Sequence, residues 1–182
     1  MNELIKLESV ELSESDLKRL LKSGFRFMPY PELSKYVYIS QLLKKDGDYF
    51  ILFFETTSST AGHYQCCWMM NGLFHFWDSY GLTPNGDKKY LQKNVLVKLN
   101  EFKPYLPDLI NESADSWDYN TIDYQSWKGS VATCGRHVAC RLYHRKLGEQ
   151  EYYNTMMNYI KQNKLQSFDE AVTLITYRLL GK

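Results

Sequence analysis

Asn71-Gly72, flanked by HYQCCWMM (63–70) and LFHFWD (73–78), constrains this chain more than any other local feature. Asparagine and glycine both tolerate positive φ, which a two-residue type I′ turn demands, so the two aromatic-rich runs are predicted to pair as an antiparallel hairpin. Counting outward from the turn sets position 63 opposite position 80 and brings His63 and Asp78 to the same end of the ribbon. Hairpin geometry alone is therefore expected to join a base to a carboxylate.

The stretch TCGRHVACRLY (133–143) is the second constraint. Val138, Ala139, Leu142 and Tyr143 recur at helical spacing, with Arg136, Arg141 and Arg145 off that stripe. Thr133 is read as the N-cap, which would set the Cys134 sulfur beside the unpaired N–H groups of the first turn. The positive end of a helix favours thiolate over thiol, and the thiolate is the reactive form.

Elsewhere, Ser13 and Asp16 read as a capping box before Leu17, Leu20 and Leu21, with Gly24 past the helix end. Residues 25–35, with two prolines, are expected to be irregular. YVYISQLL (36–43) and YFILFFE (49–55) are predicted to form a hairpin about KKDGD, the second run lying centrally and buried on both faces. A polar loop is expected at 56–62. A helix is predicted over 87–102 (Leu91, Val95, Leu99, Phe102), a loop over 105–118 and a short strand over 120–125. A helix at 149–163 should turn Tyr153, Met156, Met157 and Ile160 inward. Ser167 and Glu170 cap a last helix carrying Ala171, Val172, Ile175 and Leu179. Helix, then sheet, then helices gives an α+β class, a central mostly antiparallel sheet flanked by helices.

Composition narrows the function classes. The 182 residues are expected to form one domain, and a net charge of +1 gives no general field for nucleic acid or anionic membranes. The N-terminus lacks the basic-then-apolar order of a secretory signal, and no apolar run approaches a membrane span. Cys66, Cys67, Cys134 and Cys140 do not form a disulfide framework, and adjacent Cys66 and Cys67 should point to opposite faces of a strand; a reducing, non-secreted setting is expected.

Cysteine catalysis needs a thiol, an imidazole and a group that orients the imidazole, with donors for the developing oxyanion. Cys134, His63 and Asp78 supply the first three. The Cys134 backbone N–H and the Gln125 side-chain amide are the candidate donors; Gln65 and Gln92 fit less well, because neither lies just upstream of the cysteine. His137, one turn beyond Cys134, is a competing base, with nothing equivalent to Asp78 expected to orient it. His75, between two phenylalanines, reads as structural. Cys134, His137, Cys140 and His144 carry zinc-ligand chemistry, but one helix cannot aim all four at a tetrahedral ion, so no metal is expected. Arg136, Arg141, Arg145 and Lys146 read as a solvated helix face.

GHY (62–64), FWDSYG (76–81), Gln125 and TCGRH (133–137) together resemble the motif series of the adenain and ubiquitin-like-modifier proteases, a clan of cysteine proteases. Tyr64 stands where the clan often carries tryptophan. The form TCGRHV is most similar to maturation proteases of virophages, Maverick-type elements and large DNA viruses. The resemblance implies a papain-like or adenain-like α+β fold with the nucleophile at a helix start. It also implies a cysteine endopeptidase with His63, Asp78, Gln125 and Cys134 catalytic and no cofactor. The implied partners are viral capsid or scaffold precursors cut near glycine, with weak DNA binding as an accompanying expectation. A monomer acting in the virion and host cytoplasm is expected, away from membranes. The alternative within the clan is a deubiquitinase or SUMO-type isopeptidase.

Overall fold

A computed structural model describes residues 3–22, 24–58 and 61–181. Its centre is a five-stranded sheet in the order β1 (Phe27–Pro29), β2 (Tyr49–Ser58), β3 (Ala61–Met70), β4 (Leu73–Trp77), β5 (Trp117–Tyr119). The β2–β3 and β3–β4 pairs are antiparallel, and the short edge pairs β1–β2 and β4–β5 are parallel. The fold is α+β, with helices over both faces of the sheet.

The Asn71-Gly72 hairpin forms as predicted. Met70 pairs with Leu73 and the register runs to Cys66 opposite Trp77. Asn71 and Gly72 have φ of 53° and 74°, the left-handed values such a turn requires. The central strand β2 is buried at every residue from Tyr49 to Phe54, and its two faces feed two cores. Tyr49 and Ile51 join Cys66, Trp68 and Trp77 beneath α2 (Glu14–Leu21), α5 (Cys134–Tyr143), α6 (Glu149–Asn163) and α7 (Phe168–Leu179). Phe50, Leu52 and Phe54 join Cys67, Phe74 and Phe76 on the other face, against α4 (Tyr105–Ser113). Cys66 and Cys67 thus lie on opposite faces, as strand alternation requires. Burial of each large side chain in such a core contributes about 1.5–3 kcal/mol.

Several expectations are overturned. YVYISQLL is not a strand: Ile39, Leu42 and Leu43 are buried at helical spacing while Val37 and Tyr38 are exposed. The Gln41 amide oxygen accepts the Val37 and Tyr38 N–H groups at 2.8 and 2.9 Å, replacing a ladder with a local turn. The strand beside β2 is instead β1, within the segment expected to be irregular. KKDGD does not close a hairpin with 36–43; its Asp46 carboxylate accepts the Asn71 and Gly72 N–H groups and braces the other hairpin. Of the loop expected at 56–62, residues 56–58, 61 and 62 are strand, and 59–60 lie outside the described residues.

The long helix expected at 87–102 is a 3-10 turn (Gly86–Tyr90) followed by α3 (Lys93–Lys98), which buries Leu96. Asn100, at φ 57°, leaves the chain in a left-handed turn. Residues 105–118 are not a loop: Leu106, Leu109 and Ile110 form the inner face of α4, and Pro107 is tolerated in its first turn, where no N–H is needed. The short strand falls at β5, one step before the expected 120–125. The three C-terminal helices fall where periodicity put them, but Tyr143, Met157 and Leu179 are exposed, and Tyr152 replaces Tyr153 as the deeply buried tyrosine of α6. No helix among the described residues is long and apolar enough to cross a membrane.

Candidate active site

Helix α5 begins at Cys134, so its first-turn N–H groups face the end of the helix that carries the sulfur. Thr133 occupies the N-cap position but makes no side-chain cap, contrary to expectation; its hydroxyl donates to Asp169. The glycine after the cysteine has a packing reason. A Cβ on Gly135 would meet the Tyr64 ring at 3.2 Å, tighter than most such contacts. Tyr64 and its neighbour Cys66 face α5 across this gap.

His63 lies on β3 opposite Phe54 of β2. Gly62, before it, sits where the strands approach closely: a Cβ there would stand 2.4 Å from the Phe54 carbonyl oxygen. The imidazole Nε2 lies 2.8 Å from Asp78 Oδ2. An ionised carboxylate only accepts, so Nε2 carries the proton and Nδ1 is the free nitrogen.

Asp78 directly follows β4 and is fully buried. Its Oδ2 also accepts from Gln65 Nε2 at 2.8 Å, and its Oδ1 accepts the Tyr80 N–H at 2.7 Å. Its backbone is clamped by Asn120, whose amide takes the Asp78 N–H at 2.9 Å and donates to the Asp78 carbonyl at 2.7 Å. Burial alone would raise this carboxyl, but the His63 charge and these donors hold it below the ordinary carboxylate range. For His63, burial pulls the other way, and Asp78, Cys134 and Asp87 together keep it well above the ordinary imidazole value.

Gln125 is buried in the chain that follows β5. Its backbone N–H donates to the Ser79 carbonyl at 3.0 Å, and its Oε1 accepts the Ser79 hydroxyl at 2.7 Å. With the carbonyl end so engaged, the NH₂ end is the one left for a ligand. His63, Gln125 and Cys134 line one cleft of about 310 Å³, walled by Tyr80, Tyr90 and Trp127. Tyr80 stacks on His63 at 5.0 Å and on Trp127 at 4.0 Å, continuing the wall outward.

Asp87 and Gln65 belong to this neighbourhood although sequence reasoning did not select them. The Gln65 amide donates to both Asp78 and Asp87, and burial lifts the Asp87 carboxyl to about 6. Gln65 was legible as the residue two beyond His63 on one strand face. Asp87 follows an irregular loop and carries no periodic signal. Ligand atoms of His63, Asp78 and Asp87 lie within 4.8 Å of one another, a spacing that could hold a cation. The Gln65 Nε2 donor already bridges the two carboxylates, in the role a cation would take.

The remaining polar residues of α5 have other tasks. His137 Nε2 lies 3.0 Å from Asp169 Oδ1, so this histidine does have an orienting carboxylate, contrary to expectation. His144 turns back onto the Cys140 carbonyl, so Cys134, His137, Cys140 and His144 do not converge on a metal. Arg136 and Arg141 are buried rather than part of a solvated face. Arg136 donates to Thr176 Oγ1 at 2.7 Å, and Arg141 lies over the Trp68 and Tyr152 rings at 4.6 and 4.8 Å. The thiols of Cys66, Cys67 and Cys140 are pushed up by burial, Cys140 to about 12, which disfavours the thiolate, the reactive form.

No family model matches the chain. Among solved structures it is similar to the central domain of Lpg1148 from Legionella pneumophila, at 12% identity and TM-score 0.43, covering 94% of this chain and 99% of that one. It is similar also to the ASFV pS273R protease, at 11% identity and TM-score 0.45, covering 94% of this chain and 68% of that one. A sequence relative is "Uncharacterized protein V9" of Sputnik virophage, 31% identical over 180 residues, which covers 97% of this chain and 99% of the relative. With that likeness running nearly end to end through both sequences, the chain belongs to the family of the Sputnik virophage protein V9.

Proposed function

We propose that this protein is a cysteine endopeptidase that matures viral capsid or scaffold precursors, with Cys134 as nucleophile, His63 as base and Asp78 as the group that orients it. The observation that carries the reading is one imidazole hydrogen-bonded to a buried carboxylate and lining, together with the Cys134 thiol, a single cleft. Nδ1 of His63 takes the thiol proton while Asp78 holds Nε2–H and stabilises the imidazolium. The thiolate adds to the scissile carbonyl, and the new oxyanion sits between the Gln125 amide and the Cys134 N–H. Protonated His63 gives its proton to the leaving amine as the C–N bond breaks. Water, deprotonated by the same ring, then releases the thioester.

The virophage relative supports a viral setting, and the aromatic walls of the cleft suit a substrate with glycine at the cut. The test is co-expression of the virus's capsid proteins with wild type and with Cys134→Ala, read by mass spectrometry. Cleavage that is present with the first and absent with the second is expected; identical processing by both removes the proposal. Labelling of Cys134 by ubiquitin-like suicide probes, without capsid cleavage, would move the substrate to host conjugates.

A further inference from the structure

Asp169, in the first turn of α7, is a buried carboxylate that the catalytic scheme above does not use. Its Oδ2 accepts the Ser126 N–H at 2.9 Å. Its Oδ1 accepts the Thr133 hydroxyl and His137 Nε2–H, the latter at 3.0 Å. Ser126 immediately follows Gln125, and Thr133 immediately precedes Cys134. One carboxylate therefore holds the residues adjoining both oxyanion donors, and with them both ends of the segment 127–132. That segment contributes Trp127, Gly129, Val131 and Ala132 to the cleft.

The other restraints on these donors differ in kind. Ser79 fixes the Gln125 side chain from the β4 side, and the Ala132 N–H donates to the Glu8 carbonyl at 2.7 Å. Neither sets the distance between position 125 and position 134. A group bonded to both segments that carry the donors can do so, and Asp169 is bonded to both. A carboxylate suits the task because three donors converge on it and an ionised carboxylate offers acceptors alone. Its place in the first turn of α7 adds the favourable end of that helix dipole.

Resting on the catalytic reading above, we infer that Asp169 is a positioning residue that sets the gap of the oxyanion hole, with His137 serving as its hydrogen-bond donor rather than as a base. A displacement of about 1 Å at a catalytic donor can cost on the order of 10²-fold in rate, so a clamp at this point controls turnover without touching substrate.

The test separates oxyanion binding from thiol reactivity. A tripeptide glycinal adds the Cys134 sulfur to its carbonyl carbon and places the resulting oxygen in the hole, so its affinity reports the hole. Chloroacetamide is attacked by the same sulfur with loss of chloride and develops no oxyanion, so its rate reports the thiolate and His63. Asp169→Asn, which puts an amide N–H₂ against incoming donors, should weaken glycinal binding by about 10–100-fold and lower kcat alike with KM little changed. Chloroacetamide alkylation of Cys134 should stay within about twofold of wild type. Thr133→Val, which removes one donor and keeps the shape, should lose glycinal affinity by about three- to tenfold with alkylation intact, and carries the test if Asp169→Asn does not fold. Unchanged glycinal affinity in the folded variants, or equal losses in both reactions, overturns the inference. So does a wild-type protein that is alkylated at Cys134 yet shows no saturable glycinal binding. A wild type that reacts with neither probe would instead mark failure of the catalytic reading itself.

Discussion

The two histidine–aspartate pairs of this molecule are nearly alike in bond length and opposite in setting. His63 and Asp78 are 2.8 Å apart at the cleft, and His137 and Asp169 are 3.0 Å apart in the interior. In both, the imidazole Nε2 engages the carboxylate, and both carboxyls are held below their ordinary range despite burial that would raise them, chiefly by the histidine and then by further donors. What separates the pairs is the other ring nitrogen. His63 turns it to a cleft that Cys134 also lines, whereas His137 is fully buried near the Trp77 ring, and its Nδ1 has no hydrogen-bond partner among the described residues. A carboxylate orients an imidazole wherever the two meet; access to a proton that can be taken and returned makes a base of it.

The sharpest way to break this comparison is to remove each ring in turn. His63→Ala should lower peptide turnover by about 10³–10⁴ and slow chloroacetamide alkylation of Cys134 with it. His137→Ala should lower the melting temperature and leave alkylation within about threefold of wild type. If alkylation falls equally in both, the two settings do not differ in the way argued. Gln125→Ala comes next in size, with turnover down by about 10²–10³ and alkylation unchanged. A near-wild-type rate would show that some other group meets the oxyanion.

The smallest effect concerns a buried carboxylate that has no histidine. Glu101 is fully buried, and its Oε1 accepts the Glu55 N–H at 2.8 Å while Oε2 has no hydrogen-bond partner among the described residues. Burial pushes its carboxyl from 4.5 up to about 8, opposite in direction to Asp78 and Asp169. Between those two values the folded chain binds more protons than the unfolded one, so stability falls as pH rises through that window. Glu101→Gln should therefore gain on the order of 2 kcal/mol near pH 8 and little near pH 5, read by denaturant melts at both. A gain of the same size at both pH values would mean that ionisation is not what strains this site.

Much of the site was legible because short-range rules created it. Asn71-Gly72 sets the hairpin register that carries His63 toward Asp78, and the apolar period after Gly135 starts a helix at Cys134. The misread segments share a cause, since each sets local chemistry against pattern. Gln41 folds its own amide back on 37 and 38, so an apparent strand becomes a turn. Asn100 ends a helix that periodicity would have extended, and Leu106, Leu109 and Ile110 carry a helical stripe through a proline.

The sequence by itself determined the hairpin, the helix that begins at Cys134 and the order of the four candidate residues, because turn chemistry and apolar period act over a few neighbouring residues. Only the tertiary structure decided that Asp169 serves His137, that Gln65 bridges Asp78 to Asp87, and that Asp169 reaches Ser126 and Thr133 from the last helix. Those partners lie far apart along the chain, and no local pattern encodes a hydrogen bond that exists only once two cores have closed over the sheet.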